Sequence, residues 1–177
     1  MMTYEQYYQA LKALDPNSLE YLILHATATP EGRDVKPSEV LRWHTDPPPK
    51  GRGWKKPGYM ALFLLDGSTH FFAQDNGDQI VQPAELTNGV FGMNQRSHHF
   101  CYVGGLEKDG KTPKDTRTPE QEMAMIKLIF EYLSRHPQVK IAGHNQFAAK
   151  ACPCFWVPDW LEKIRVPEIN IYRKVFK

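Results

Sequence analysis

The chain carries, at positions 144–155, the segment HNQFAAKACPCF, in which three reactive side chains lie close together. An imidazole (His144), an ammonium (Lys150) and a thiol (Cys152) fall within nine consecutive residues. The mostly apolar segment VKIA at positions 139–142 precedes them and predicts a strand that ends just before the histidine. Because His and Cys are the preferred zinc ligands, and a nearby Lys can stabilise developing negative charge, the segment can supply part of a metal-dependent catalytic site.

The composition predicts an ordinary globular protein. A length of 177 residues fits one domain, and 41% hydrophobic with 24% charged residues is enough apolar material for one core. The net charge of +2 does not favour a nucleic-acid or acidic-membrane partner. This charge leads us to expect no nucleic-acid binding. Since no apolar run approaches the roughly 20 residues that span a bilayer, we also expect no membrane insertion.

The N-terminal segment and the cysteines bear on where the protein is made. Residues 1–14 are polar and amphipathic and lack the uninterrupted apolar core of a signal peptide, so we expect cytoplasmic synthesis without Sec export. The three cysteines are an odd count, and Cys152 and Cys154 stand only two apart, which does not suit a disulfide framework. We expect reduced thiols, with Cys101 as a small buried hydrophobe and Cys152 as a metal ligand.

The periodicity of the apolar residues predicts alternating helices and strands. We expect helices at 4–14, 37–44, 118–135 and 159–164, and strands at 21–25, 59–65, 69–73, 100–103 and 139–142. Thr118 is the expected N-cap of the longest helix. The chain, 1–177, is therefore predicted to be a single α/β domain, with residues 1–18 as an N-terminal helical extension and residues 165–177 as a C-terminal tail.

A second histidine stands where the first predicted strand ends. His25 closes the run YLILH, much as His144 follows the strand at 139–142. If these strands are neighbours in one sheet, both imidazoles emerge at the same edge, and Cys152 can fold back to complete a set of three ligands. Catalytic zinc takes three protein ligands and keeps one position open. A single histidine at a strand end is more often a hydrogen-bonded surface residue, but the three together favour a metal site.

Several short motifs follow one another over most of the chain, from about residue 21 to residue 161. They are LHATAT (24–29), GY (58–59), DG (66–67), YVGG (102–105), DTRTP (115–119), GH (143–144) and KACPCF (150–155). In this order they resemble the type 2 N-acetylmuramoyl-L-alanine amidases, which include phage lysozyme-type amidases and catalytic peptidoglycan recognition proteins. The Lys-Ala-Cys-Pro element, at its distance from the histidine, is the specific part of the resemblance.

The resemblance implies a fold, a reaction and a set of site residues. The fold would be a mixed central β-sheet flanked by helices, with a zinc groove at one sheet edge. The reaction would be hydrolysis of the amide between N-acetylmuramic acid and the L-alanine of the stem peptide. Zn²⁺ would be held by His25, His144 and Cys152, while Tyr59 and Lys150 would stabilise the oxyanion. How proton transfer divides between Tyr59, Lys150 and the zinc-bound water is left open.

Further residues are expected at the substrate groove, some by their place in the resemblance and Trp54 by its place in the loop before Gly58. His44 and Trp54 are predicted substrate contacts, although packing on a helix face or in a loop is the alternative for each. Asn94 and Arg96 belong to a segment that resembles the family's groove wall. Arg96 could meet a stem-peptide carboxylate, with a solvated surface charge as the alternative.

The chain also departs from the family pattern near this segment. A histidine that is frequent in the family is replaced by about Gly89. His98 and His99 stand where apolar or small residues are usual, so an accessory metal contact is a further possibility at these two positions.

Two other functions remain open from the sequence alone. A non-catalytic peptidoglycan-binding recognition protein would keep the groove but typically lacks the ligand at Cys152. A purely structural zinc domain would need four closed ligands, with Cys154 as a candidate. We favour a monomeric phage or prophage endolysin that acts on peptidoglycan or a muropeptide at the bacterial cell wall after release from the cytoplasm.

Overall fold

The computed structural model describes residues 2–176, apart from the side chains at position 8 and positions 11–14. Within these residues the helices are α1 (Tyr4–Leu14), α2 (Pro37–Thr45), α3 (Pro119–Arg135) and α4 (Val157–Lys163). The strands are β1 (Tyr21–Ala26), β2 (Thr29–Pro30), β3 (Ala61–Phe63), β4 (Thr69–Phe71), β5 (Ser97–Tyr102), β6 (Gly105–Leu106) and β7 (Lys140–Gly143). In this part of the chain no helix is both long and apolar enough to cross a membrane.

Five of the strands form one mixed sheet in the order β4-β3-β5-β1-β7. β3, β5, β1 and β7 run parallel, and β4 pairs with β3 at the edge in the antiparallel direction. β1 lies between β5 and the edge strand β7, and its residues 22–26 are buried. A strand buried on both faces needs a continuous apolar run, which is why residues 22–24 read Leu-Ile-Leu.

Alternate side chains of the sheet enter two separate cores. On one face, Leu24 and Phe100 pack in a cluster with Ile129 of α3. On the other face, Leu62 and Cys101 belong to a smaller cluster that includes a residue of α2. Because side chains alternate across a strand, the odd-numbered residues of β1 and β5 share the face that carries the smaller cluster.

The long helix α3 is tied to the sheet by its first turn. Thr118 caps it by accepting a hydrogen bond from Gln121 N at 3.0 Å, and the Gln121 side chain accepts one from Thr118 N at 2.9 Å. The buried Gln121 amide also donates to the carbonyls of Phe63 and Val103, each at 3.0 Å. The predicted N-cap is confirmed, and it fixes the helix across the ends of β3 and β5.

The predicted elements are present, but several boundaries differ. β5 begins at Ser97 rather than at residue 100, because His98 and His99 are buried strand residues despite their polarity. The last helix begins at Val157 rather than at residue 159. The short pair β2 and β6 has no counterpart in the prediction.

Candidate active site

Two parallel neighbouring strands bring the two predicted histidines together. β1 pairs with β7 so that Leu24 lies opposite Gly143, and the next residues are His25 and His144. Their ring centroids are 4.8 Å apart with planes inclined by 65°. Since His144 starts a 3₁₀ turn directly after its strand, its side chain leaves the sheet edge beside His25. The expected juxtaposition of the imidazoles is confirmed.

The cysteine reaches this edge because its loop is held at three points. Asn145 N donates to the carbonyl of Cys152 at 2.7 Å, and the Tyr102 hydroxyl donates to the carbonyl of Pro153 at 2.8 Å. Ala26 N donates to Cys152 Sγ at 3.2 Å. Cys152 Sγ then lies 3.8 Å from Nδ1 of His25.

These three side chains have the composition and spacing of a zinc site. One potential ligand atom from each of His25, His144 and Cys152 lies within 4.8 Å of the other two. Ordinary zinc bond lengths place nitrogen and sulfur ligands roughly 3.6 Å apart in a tetrahedron, close to the observed 3.8 Å. Two nitrogens and one sulfur leave the fourth position to water or substrate. Among the described residues, no other group of His, Cys, Asp or Glu meets the same spacing criterion.

The protonation states of the three predicted ligands follow from their burial. Burial lowers the pKa of His144 to about 4, and the Lys150 charge adds to the effect. Burial likewise lowers the pKa of His25 well below its usual value. Burial raises the pKa of Cys152 to about 12, opposed by the Ala26 N–H and by Lys150. Two neutral imidazoles can bind a metal as they are, whereas the thiol must lose its proton to bind.

Tyr59 lies next to this group. Its ring centroid is 5.3 Å from that of His25, and its hydroxyl interacts with the buried thiol of Cys101. Burial raises the pKa of Tyr59 well above its usual value, with Cys101 and Cys152 adding to the shift. Tyr59 is therefore a protonated phenol that can donate a hydrogen bond at neutral pH. Cys101 is fully buried, as predicted, but it also contacts Tyr59.

Lys150 supplies positive charge at the same place. It is exposed, lines the groove described next, and acts on the pKa values of His25, His144 and Cys152. An ammonium in this position can interact with an anion that forms beside the three predicted ligands.

A groove of about 620 Å³ opens over the site. The predicted metal ligands His25 and His144, together with Tyr59 and Lys150, contribute to its lining. Its other side chains include His44, Arg52, Trp54, Asn88, Val90, Phe91, Asn94, Phe147 and Phe176. None of the described residues that line it is acidic.

His44 and Trp54 form one wall of this groove as a stacked pair. Their ring centroids are 5.2 Å apart with planes inclined by 13°, and Arg52 lies over the indole at 5.1 Å. Gly58 N donates to His44 Nδ1 at 3.2 Å, and a Cβ at Gly58 would come within 3.1 Å of the imidazole. Burial lowers the pKa of His44 to about 4, so the ring is neutral and carries its proton on Nε2. The glycine before Tyr59 therefore gives the imidazole room.

Of the other two predicted substrate contacts, Asn94 lies at the groove and Arg96 lies outside its described lining. Asn94 lines the groove, and its side-chain oxygen accepts a hydrogen bond from Val90 N at 2.9 Å, which shapes the wall. Arg96 is not among the described residues that line the groove. Its guanidinium lies 3.3 Å from a carboxylate oxygen of Glu20. The geometry gives no support for the predicted substrate contact at Arg96.

The remaining cysteine and the two histidines of β5 do not join the ligand group. Cys154, the candidate fourth ligand of a structural zinc site, packs against the larger core instead. His98 Nδ1 lies 2.9 Å from the hydroxyl of Tyr132, on the opposite face of the sheet. His99 contacts His25 but is outside the metal-binding set of the described residues. The expectation of an accessory metal contact at these histidines is not supported.

Sequence reasoning missed several groove residues. Phe91 is fully exposed on the groove wall, three residues before Asn94, which was predicted to lie there. Arg52 belongs to a loop rich in Pro, Gly and Lys that carries no periodic signal. Phe176 reaches the groove from the C-terminal tail, and no local pattern could predict that contact.

Several known proteins resemble this chain in sequence or in fold. The endolysin of Enterobacteria phage K11 is 30% identical over 139 residues, which cover 78% of this chain and 83% of that protein. The amidase LysC from Clostridium intestinale URNW, a solved structure, is 17% identical with a TM-score of 0.64 over 86% of this chain and 90% of that one. The solved structure of bumblebee PGRP-SA is 17% identical with a TM-score of 0.63, and the match covers 89% of this chain and 86% of that one.

The two solved structures show a shared fold, and the predicted mixed sheet flanked by helices is confirmed. The family assignment comes from the sequence itself. Residues 15–155, which include every predicted ligand, match the family described as N-acetylmuramoyl-L-alanine amidase. The chain belongs to the N-acetylmuramoyl-L-alanine amidase family.

Proposed function

We propose that the protein is a zinc-dependent endolysin that hydrolyses the amide between N-acetylmuramic acid and L-alanine in peptidoglycan. The observation that carries the proposal is the group of His25, His144 and Cys152 at a groove that Tyr59 and Lys150 also line. Membership in the amidase family supports the reaction. Relatives named endolysin, from phages K11, KP32, T7 and T3, support the role in phage lysis.

His25, His144 and Cys152 would hold the metal ion. Their two neutral imidazoles and one thiol are a donor set that suits Zn²⁺, and the 3.8 Å between His25 Nδ1 and Cys152 Sγ suits a shared ion. Zinc bound there supplies Lewis-acid chemistry, which activates water and polarises the scissile carbonyl.

Tyr59 and Lys150 would act on the charge that develops during hydrolysis. The Tyr59 phenol keeps its proton at neutral pH, so it can donate a hydrogen bond to the oxygen of the attacked carbonyl. Lys150 adds a positive charge at the groove surface. Water oxygen ends in the new carboxylate of the muramic acid, and L-alanine leaves as an amine that has gained a proton.

The groove would bind the stem peptide and the adjoining sugar. Arg52 and Lys150 are cationic, and none of the described residues lining the groove is acidic, which suits a substrate that carries carboxylates. The stacked pair of His44 and Trp54 gives one wall of the groove an aromatic surface, and Asn94 adds a polar side chain to the lining. These three are proposed substrate-binding residues.

The proposed setting follows from the endolysin role. The protein would be made in the cytoplasm and would reach the bacterial wall after release, acting there as a monomer without nucleic acid or membrane insertion. Residues 1–177 would form one catalytic domain, since the family match covers 15–155. Residues 1–18 would be a helical extension, and residues 165–177 a tail whose Phe176 borders the groove.

The test is product analysis on purified peptidoglycan with zinc-loaded protein. We expect new L-alanine amino termini without new reducing sugar ends. New reducing ends would indicate a glycosidase, and tight binding without release would indicate a recognition protein. Cys152→Ala should lose both zinc and product, whereas Cys154→Ala, which alters the other cysteine of the loop, should keep both. Full turnover by folded Cys152→Ala would refute the assigned metal site.

A further inference from the structure

Two adjacent buried histidines of β5 have different surroundings. His98 points to α3, where its Nδ1 lies 2.9 Å from the hydroxyl of Tyr132. His99 points to the opposite face, and its Nδ1 lies 3.1 Å from Nε2 of His25. The strand alternation therefore directs one imidazole into the core and the other against a proposed metal ligand.

The contact uses the nitrogen of His25 that does not face the cysteine. Nδ1 of His25 lies 3.8 Å from Cys152 Sγ, and Nε2 faces His99. A neutral imidazole has one nitrogen that donates and one that accepts. To bind a metal through Nδ1, His25 must carry its proton on Nε2. His99 Nδ1 is in place to accept that proton's hydrogen bond.

We propose that His99 is a positioning residue that holds His25 in the Nε2–H tautomer and fixes the orientation of its ring. This inference rests on the metal site proposed above. The hydrogen bond selects the tautomer whose Nδ1 is free to bind, and it restrains rotation of the imidazole about its bond to Cβ. Metal-binding histidines are commonly oriented in this way by an acceptor on the other nitrogen.

The packing around His99 supports a role beyond filling space. His99 is fully buried, and its Nε2 has no hydrogen-bond partner among the described residues. Burying a polar group without a partner is unfavourable, and an apolar side chain would avoid that penalty. The loop makes room for the ring at Gly89, where a Cβ would come within 2.3 Å of His99 Nδ1.

The test compares zinc affinity and the His25 tautomer in matched variants of the whole chain. His99→Phe keeps a ring but removes the acceptor, and His99→Asn places an amide oxygen near the position of Nδ1. His98→Phe is the matched control on the other face of the same strand. Zinc affinity is measured by competition with a chelator at constant pH, and the tautomer is read from nitrogen-15 NMR of His25.

We expect His99→Phe to weaken zinc binding by roughly 10–100-fold and to populate the Nδ1–H tautomer of His25. His99→Asn should restore most of the affinity, and His98→Phe should bind zinc as the wild type does. Equal affinities for wild type and His99→Phe would overturn the proposal. If His99→Phe does not fold, zinc affinity is measured on Gly89→Ala instead. The added methyl group would displace the His99 ring from the loop side and should also weaken zinc binding, and an affinity equal to that of the wild type would overturn the proposal. Failure of the wild type to bind zinc would instead reject the metal site itself.

Discussion

At the scale of single residues, the proposed roles of His25, His144 and Tyr59 depend on protonation states that burial determines. His25 and His144 are neutral because burial lowers the pKa of each. Tyr59 keeps its proton because burial raises its pKa. A neutral acceptor suits a metal ligand and a neutral phenol suits a hydrogen-bond donor, so the site has both kinds of group ready at neutral pH.

Tyr59→Phe tests the donor role directly. Loss of the hydroxyl should lower kcat by about 10²–10³-fold, the range observed when one oxyanion donor is removed, because a hydrogen bond of the transition state is lost. Zinc content should not change, since Tyr59 is not a ligand. The measurement is steady-state hydrolysis of a soluble muropeptide together with metal analysis.

Tyr7→Phe is the matched control, since Tyr7 is an exposed tyrosine of α1 outside the groove lining of the described residues. It should leave kcat unchanged. A kcat of Tyr59→Phe within threefold of the wild type would exclude the hydroxyl from the reaction.

Residue types and strand ends were enough to predict that His25, His144 and Cys152 lie close together. His25 ends one predicted strand and His144 follows another, so their approach required the assumption that these strands are neighbours, and that of Cys152 required its loop to fold back. Arg96 and His99 could not be placed in the same way. The contact of Arg96 with Glu20 and of His99 with His25 depends on strand pairing and side-chain orientation that no local pattern encodes.

At the scale of elements, the loop that carries Cys152 is anchored by the segment before α3. The Arg117 side chain is only 7% exposed and lies 3.7 Å above the ring centroid of Phe155 and 4.6 Å from that of Trp160 in α4. Its guanidinium also pairs with Asp115 at 2.7 Å. One side chain thus links the approach to α3, the end of the cysteine loop and α4.

Arg117→Lys should lower the free energy of unfolding by about 1–2 kcal/mol, because lysine cannot stack as a plane on the aromatic rings or bind Asp115 through two nitrogens. Urea unfolding followed by circular dichroism measures the change. Lys127→Ala is the control, since the exposed pair of Lys127 with Glu131 at 3.9 Å should contribute less than about 0.5 kcal/mol. Equal effects of the two substitutions would contradict the anchoring role.

Whether a segment forms a helix or a strand was more predictable than the residues at which it begins and ends. The strongest helix was expected at 118–135 and is present as α3, because its cap and its apolar periodicity agree. β5 begins earlier than expected because His98 and His99 find hydrogen-bond partners that exist only in the assembled fold. The pair β2 and β6 is two residues long in each strand, which is too short for a periodic pattern.

At the scale of the whole molecule, Asp75 ties the segment after the β3–β4 hairpin to the end of α3. Both carboxylate oxygens lie 3.0 Å from His136 Nε2, and one lies 2.8 Å from Arg135. Burial alone would raise the pKa of Asp75, but the contacts with His136, Gly77 N–H and Arg135 lower it to about 2. The ionised carboxylate is therefore favoured in the folded state.

This shift predicts a pH dependence of stability. Because the folded pKa lies below the unfolded one, Asp75 contributes stability above about pH 4, and the contribution is lost as the pH falls through about 2. Asp75→Asn should cost about 2 kcal/mol at pH 6, and the gap from the wild type should narrow towards pH 2. Denaturant unfolding at several pH values measures it, and a gap independent of pH would refute the explanation.

The architecture as a whole was only partly accessible from the sequence. Apolar periodicity predicted an α/β domain, but the mixed sheet and its groove came from the resemblance to a family. The strand order β4-β3-β5-β1-β7 depends on contacts between residues far apart in the chain. The approach of Phe176 to the groove likewise depends on contacts between residues far apart in the chain.

Cleavage of the amide between muramic acid and L-alanine is tested most directly by following the oxygen of the attacking water. Zinc-loaded protein is incubated with a defined muropeptide in water enriched in oxygen-18, and the products are analysed by mass spectrometry. We predict one heavy oxygen in the new carboxylate of the muramic acid and none in the released peptide, which carries a free L-alanine amine. Label in the peptide, or an intact substrate, would contradict this assignment.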